Sequence, residues 1–336
     1  MLRLVAIAFI LVTCLALAEG AARLAGETPW QPPRLDVRVE PGGSLFEPDP
    51  RLGYRHRAGR FEVTQGLLRF SLTHDDQGLR ATHPERASGS RPPELWIFGD
   101  SITHGWSVDN EETYAWLLQE RFPALEVVNF GVSGYGTLHG WLQFEDALAA
   151  GRRAALAVVA YASFHDDRNT FARERRKILV PWNRLGPLAQ PRARFDAAGE
   201  LRIERAEARY AELPLMRRLA VAHLVERGWN RLEQRRLRGA DVSFAILERF
   251  AERARREGIT LVVAGITRDE PTQALLERCR AHGVRTVDIA VDLDLPGMRN
   301  LPWDPHPSAR AHQLYAERLG GYLEREGLAG ALSSPR

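Results

Sequence analysis

From Glu94 onward the chain alternates short apolar runs with longer amphipathic ones. Residues 95–98, 126–130, 155–161, 259–264 and 284–288 are brief, mostly apolar and rich in Val and Ile. Such runs suit strands of a parallel sheet that is covered on both faces. Between them the period lengthens, which predicts helices near 111–122, 138–150, 243–257 and 270–282. A last helix, about 309–326, follows Ser308, a good N-cap residue. Its Leu314, Tyr315, Leu319, Tyr322 and Leu323 share one face. The pattern predicts an α/β domain over 94–330 with a doubly wound parallel sheet. Sheets of this kind bind ligands at the carboxyl ends of their strands.

The alternation breaks between about 165 and 242. This insertion holds a hairpin signal at Ala193–Ile203 and a helical signal near 215–237. In the latter, Leu215, Leu219, Ala222, Val225, Trp229 and Leu232 line one face and arginines the other. That pattern predicts either a packed cap helix or a lid facing substrate. Ahead of the domain, residues 26–50 are rich in Pro and Gly and read as a linker. Phe61–Thr64 and Leu68–Leu72 alternate as strands do, predicting a small β module within 26–93. Arg86 to Pro93 reads as a second loop.

Charge adds one feature. The net formal charge is +3, yet residues 168–240 carry eighteen basic side chains against eight acidic ones, and Lys177 is the only lysine among them. A solvated arginine face explains this, as does attraction to anionic lipid or glycan. Neither zinc-ligand spacing nor an interleaved aromatic and basic strand is present, so a nucleic-acid module is not expected. The two cysteines, Cys14 in the leader and Cys279 in a helical run, do not make a disulfide framework. The leader itself, residues 1–25, is a targeting segment. Arg3 precedes fifteen uncharged residues, Leu4 to Ala18. Ala16-Leu17-Ala18 offers a signal-peptidase site; continuation through Ala21, Ala22 and Leu24 makes an uncleaved anchor long enough for a bilayer. Either way the body of the protein is exported.

The candidate chemistry sits where the first domain strand ends, in Gly99-Asp100-Ser101. A serine lifted out of the end of a buried sheet is placed to attack a carbonyl carbon, provided a base and an orienting acid accompany it. Trp303-Asp304-Pro305-His306-Pro307 supplies both. Each proline biases the residue before it towards extended backbone, and in an extended segment residues i and i+2 point the same way. Asp304 and His306 can then lie side by side. A third element is the turn Gly131-Val132-Ser133-Gly134 after Asn129, whose N–H groups can face a developing oxyanion.

With these blocks in place, the chain resembles the SGNH/GDSL-type esterase-lipase family, over about residues 94–170 and 243–325. The resemblance implies a flavodoxin-like sheet and Ser101 as nucleophile, with His306 as base and Asp304 as its orienting acid. It also implies an oxyanion hole from the N–H groups of Ser101 and Gly134, with no metal or organic cofactor. The segment Gln77-Gly78-Leu79-Arg80 is similar to the lead-in of membrane-anchored bacterial members. The Asp-x-His spacing resembles the branch that handles bacterial surface polysaccharides. One block departs: where the family has an Asn as third oxyanion donor, this chain has His165, whose imidazole N–H can also donate. Asn169, four residues further on, is a poor substitute.

Three functions are compatible with these residues. The first is an exported, membrane-attached serine hydrolase cleaving carboxylic esters, with short O-acyl groups on a glycan, or another small ester, as substrate. The second passes the same acyl group to a sugar hydroxyl, as an envelope or exopolysaccharide O-acetyltransferase. The third is a membrane-tethered binding protein whose site is weakened by His165. The sequence leaves the oligomeric state open.

Overall fold

The computed structural model describes residues 1–32, 36–84 and 92–328. The chain opens with helix α1 (Leu2–Leu24), then runs through β1 (Val37–Glu40), β2 (Phe46–Asp49), β3 (Gly53–His56), β4 (Gly59–Gln65) and β5 (Leu68–His74). The expected β module is therefore larger than the two runs that signalled it. Its extra strands β1 and β2 lie in the stretch that reads as a linker, where Val39 and Leu45 are buried with Phe61, Val63, Phe70 and Leu72. The Pro and Gly content hid these strands because each is only four residues long. Most of the loop expected at 86–93 lies outside the described residues.

The main domain follows: β6 (Glu94–Phe98), α2 (Ser101–His104), α3 (Tyr114–Arg121), β7 (Glu126–Asn129), α4 (Thr137–Ala149) and β8 (Ala154–Tyr161). The insertion adds α5 (His165–Thr170), α6 (Arg173–Trp182), the hairpin β9 (Ala189–Phe195) and β10 (Leu201–Glu207), and α7 (Ala220–Leu237). The domain then resumes with α8 (Gly239–Arg256), β11 (Thr260–Gly265), α9 (Glu270–Ala281), β12 (Arg285–Asp288) and α10 (Ala309–Arg325). All five strands read from the sequence are present and parallel, in the order β12-β11-β8-β6-β7.

Side-chain alternation along the strands sorts the core into two layers. Leu95, Ile97, Leu156, Val158, Val262 and Ala264 face α3 and α10, where Tyr114, Leu118, Tyr315 and Leu319 meet them. Trp96, Phe98, Ala157, Val159, Tyr161 and Val263 face α4, α8 and α9, meeting Phe144, Phe250 and Leu276. Both faces are thus covered by helices, as the unbroken apolar runs require. A third cluster joins the insertion to the module: Tyr54, Val132, Tyr135, Leu138, Leu188, Leu201 and Ile246 pack together.

The strand order reverses between β6 and β8, so the crevice at their carboxyl ends is the expected ligand site. Ser101 begins the turn of helix that follows β6 at this point. Two local expectations are corrected. Ser308 does start α10, but its hydroxyl donates to the carbonyl of Gly297 at 2.6 Å and does not cap the helix. Helix α7 forms, yet Leu215, Val225, Trp229 and Leu232 are each more than half exposed. Its buried side chains include Glu226 and Asn230, so the apolar stripe is not packed as a cap helix would pack it. Helix α1 is long and apolar enough to cross a membrane.

Candidate active site

Ser101 is held by Asp100, the residue before it. Asp100 caps the short helix α2, accepting the Ile102 N–H at 2.9 Å on one carboxylate oxygen. The other oxygen accepts from Arg168 Nη1 at 2.9 Å. Burial alone would push the Asp100 carboxyl up. The donors from His165, Arg168 and Ile102 outweigh burial and keep it well below the usual carboxylate range. Ser101 therefore stands on a buried anion that cannot itself act as base, since its lone pairs are engaged. As first residue of a helical turn, its own N–H has no acceptor within the helix.

The candidate base comes from far along the chain. His306 Nε2 lies 3.0 Å from Ser101 Oγ, and His306 Nδ1 lies 2.7 Å from Asp304 Oδ1. That same carboxylate oxygen also accepts the His306 backbone N–H at 2.8 Å, so the Asp-Pro-His segment closes on itself. With Nδ1–H given to the carboxylate, the Nε2 lone pair faces the serine hydroxyl. The second carboxylate oxygen of Asp304 accepts the indole N–H of Trp106 at 3.0 Å. Burial pushes the Asp304 carboxyl up, but the bonds from His306 and Trp106 outweigh it and hold the group below its ordinary value. Asp304 is almost wholly buried, while the His306 side chain keeps about a third of its surface open, at 31 %.

The loop carrying this pair is pinned from three sides. Asn300 donates to the carbonyl and hydroxyl of Ser107 at 2.8 and 2.9 Å, and its carbonyl accepts the N–H groups of Trp303 and Asp304. From the β module, Gln65 donates to the Trp303 carbonyl at 2.6 Å, and Phe70 packs edge-on against Trp106, centroids 5.3 Å apart. The small β module is thus part of the support of the His–Asp pair. Sequence reasoning did not find Trp106, Asn300 or Gln65. Trp106 stands only five residues beyond Ser101, but nothing in the local pattern says that an indole will reach residue 304.

The Gly turn lies against the serine helix. A Cβ on Gly131 would stand 2.4 Å from the His104 backbone nitrogen, so only glycine permits this approach. Gly134 has φ +88°, and a Cβ there would meet the Tyr54 hydroxyl at 2.5 Å and Arg175 at 2.7 Å. Those two side chains fix the turn from outside: Tyr54 donates to the Ser133 carbonyl at 2.9 Å and Arg175 to the Gly134 carbonyl at 2.9 Å. Within the turn the Tyr135 N–H donates to the Val132 carbonyl at 3.0 Å.

His165 lies wholly buried behind the serine. Its Nδ1 is 3.3 Å from the Thr137 hydroxyl and its Nε2 is 3.4 Å from Asp100. The polar contacts of its ring are thus with Asp100, next to Ser101, and with the start of α4, while Tyr161 and Phe164 meet it edge-on. Burial pushes its pKa down, against the pull of Asp100. Asn169 does not substitute for it: its amide caps α4 at Leu138 and donates to Ser243.

A second histidine cluster, His56, His74 and His104, lies beneath the module, with one ring nitrogen of each within 4.8 Å of those of the others. It fits packing better than coordination. A metal ion sits in the plane of each imidazole that binds it, about 2.0–2.1 Å from nitrogen. The His56 and His74 rings are stacked within 10° of parallel at 4.4 Å, so their lone pairs do not converge. The buried Arg80 guanidinium beside them also opposes a cation.

A family model described as GDSL-like lipase/acylhydrolase matches residues 97–314. No curated protein matches the chain. Among solved structures, one similar chain is a member of the lipolytic protein G-D-S-L family from Veillonella parvula (13 % identity, TM-score 0.40), the match covering 69 % of this chain and 98 % of that one. A GDSL-like lipase from Bacteroides thetaiotaomicron (14 %, TM-score 0.39) matches over 71 % of this chain and 93 % of its own. An acetylxylan esterase from Geobacillus stearothermophilus (13 %, TM-score 0.39) matches over 71 % and 95 %.

Proposed function

This chain belongs to the GDSL-like lipase/acylhydrolase family and is an ester hydrolase, and on that premise we propose that Ser101, His306 and Asp304 carry the hydrolysis. The observation that supports this most is the unbroken path Asp304–His306–Ser101 at 2.7 and 3.0 Å. In the first half-reaction His306 Nε2 takes the Ser101 proton as Oγ bonds to the acyl carbon. The carbonyl π pair moves onto oxygen, where the Ser101 and Gly134 N–H groups stabilise it. Collapse expels the alcohol, which leaves with the proton from His306. Water then repeats the sequence on the acyl-enzyme and frees the acid. Asp304 keeps the imidazole in the tautomer this needs and stabilises the imidazolium that forms; Trp106 holds Asp304 in place.

The substrate we propose is a small O-acyl ester on a glycan, met outside the cytoplasm at the membrane to which α1 attaches the protein. This rests on the exported leader and on the Asp-x-His spacing. Ser101→Ala should lower turnover of p-nitrophenyl acetate by about 10⁵–10⁶-fold. Turnover within tenfold of the parent enzyme would remove Ser101 from the mechanism. Release of acetate from an acetylated polysaccharide, against a long-chain p-nitrophenyl ester, tests the substrate class separately.

A further inference from the structure

Helix α7 is built inside out. Its buried positions carry Glu226, which accepts from Arg173 at 2.9 Å, and Asn230, whose amide donates to Glu174 of α6. Its large apolar residues Val225, Trp229 and Leu232, at i, i+4 and i+7, form a stripe on the outside, and Leu215 just before the helix is equally open. Trp229 has a distant cation contact from Arg173, 6.0 Å to the ring centre. A soluble surface gains nothing from such a stripe.

The position of the stripe supplies its occupant. The last turns of α1 hold the first turn of α7. Glu19 accepts the N–H groups of Ala220 and Val221, each at 3.0 Å, and Arg23 donates to the Arg218 carbonyl at 3.1 Å. Just past α1, Glu27 pairs with Arg227, and the Thr28 carbonyl accepts from His223 Nδ1 at 3.0 Å. Helix α7 thus starts at the level where α1 leaves the bilayer. It runs about 27 Å from there, at 1.5 Å per residue. By helical geometry Arg235 lies on one flank of the stripe, and Arg236 continues it one turn beyond Leu232. An apolar stripe bordered by arginine matches a helix lying in the plane of an anionic interface.

We infer that α7 lies along the surface of the membrane that α1 enters, with Val225, Trp229 and Leu232 in the interface and Arg235 and Arg236 among anionic phospholipid headgroups. The inference rests on α1 being a membrane anchor. It would hold the domain at a fixed height and orientation, with two attachments where α1 alone gives one.

The test uses the full chain in phosphatidylglycerol-containing liposomes and a polarity-sensitive NBD label. One sample is labelled at native Cys14, midway along α1; Cys279 is buried and leaves the label to Cys14. The other carries Cys14→Ser and Trp229→Cys, a change at an exposed position. Each is read with acyl-chain nitroxide quenchers at shallow and deep positions. The expected result is deep quenching at 14 and shallow quenching at 229, the latter weakened when phosphatidylcholine replaces phosphatidylglycerol. Quenching at 14 with an unquenched, water-exposed label at 229 overturns the inference and leaves the anchor. A blue-shifted but unquenched label at 229 assigns the stripe to a second copy, and overturns it too. An unquenched label at 14 overturns the anchor and the inference with it.

Discussion

Asp304 is held by three donors: the ring and backbone of His306 and the indole of Trp106. Their roles separate by substitution. Asp304→Asn keeps the shape but offers His306 the wrong tautomer, so kcat should fall about 10⁴-fold with little change in KM. Trp106→Phe keeps the packing on Phe70 and removes only one hydrogen bond to a carboxylate. Loss of about 1.5 kcal/mol from such a bond corresponds to roughly a tenfold lower kcat, measurable on p-nitrophenyl acetate; an unchanged kcat would show that Trp106 merely packs. The proposed nucleophile, base and acid were legible because each stands in a local pattern: Ser101 follows the end of a strand, and Asp304 and His306 each precede a proline. Trp106, Asn300 and Arg168 were not, because their partners lie 68 to 198 residues away and no periodicity encodes those pairings.

At the scale of elements, the Gly turn is the most constrained piece. Gly134→Ala places a methyl at positive φ within 2.5 Å of the Tyr54 hydroxyl, so the turn must shift. If its N–H serves the oxyanion, kcat should fall about 10²–10³-fold while the fold survives; full activity would place the oxyanion elsewhere. The histidine stack offers a contrasting prediction. Apart from the Gly78 backbone beside it, neither ring nitrogen of His56 meets a hydrogen-bond partner, although the ring is buried between Phe46 and His74. A buried unsatisfied donor costs about 1–3 kcal/mol, so His56→Phe should raise the thermal midpoint at neutral pH. A lower midpoint would show that the imidazole contributes a contact beyond stacking. The five core strands were readable within one or two residues because fully buried strands are unbroken apolar runs. Helix α7 was found, but which of its faces is buried was left open. An apolar stripe shows that a helix has two faces and leaves open which one meets the protein.

Across the whole molecule, burial dominates the titration behaviour. His56, His74, His104, His139 and His312 are all held below their ordinary value by burial, three of them at about 3. Below the ordinary value of 6.5 the unfolded chain takes up protons that the folded one refuses. Stability is therefore greatest above pH 6.5 and is lost as pH falls towards 3, on the order of 1.4 kcal/mol per pH unit for each imidazole. Asp146, Asp166 and Asp167, all raised chiefly by burial and Asp167 to about 6, oppose this as the pH falls towards 4, but as three carboxyls against six imidazoles once His165 is included. Calorimetry from pH 8 to 4 should show a steep fall of the midpoint below pH 6.5, shallower in His56→Phe. A flat profile would contradict the buried, neutral cluster.

The central claim is that Ser101 is a nucleophile activated by His306. The most direct measurement is mass spectrometry of the intact chain after treatment with a fluorophosphonate. One adduct per chain is expected, on the peptide holding Gly99-Asp100-Ser101, absent in Ser101→Ala and strongly slowed in His306→Ala. A chain that stays unlabelled, or one labelled equally well in Ser101→Ala, would contradict it.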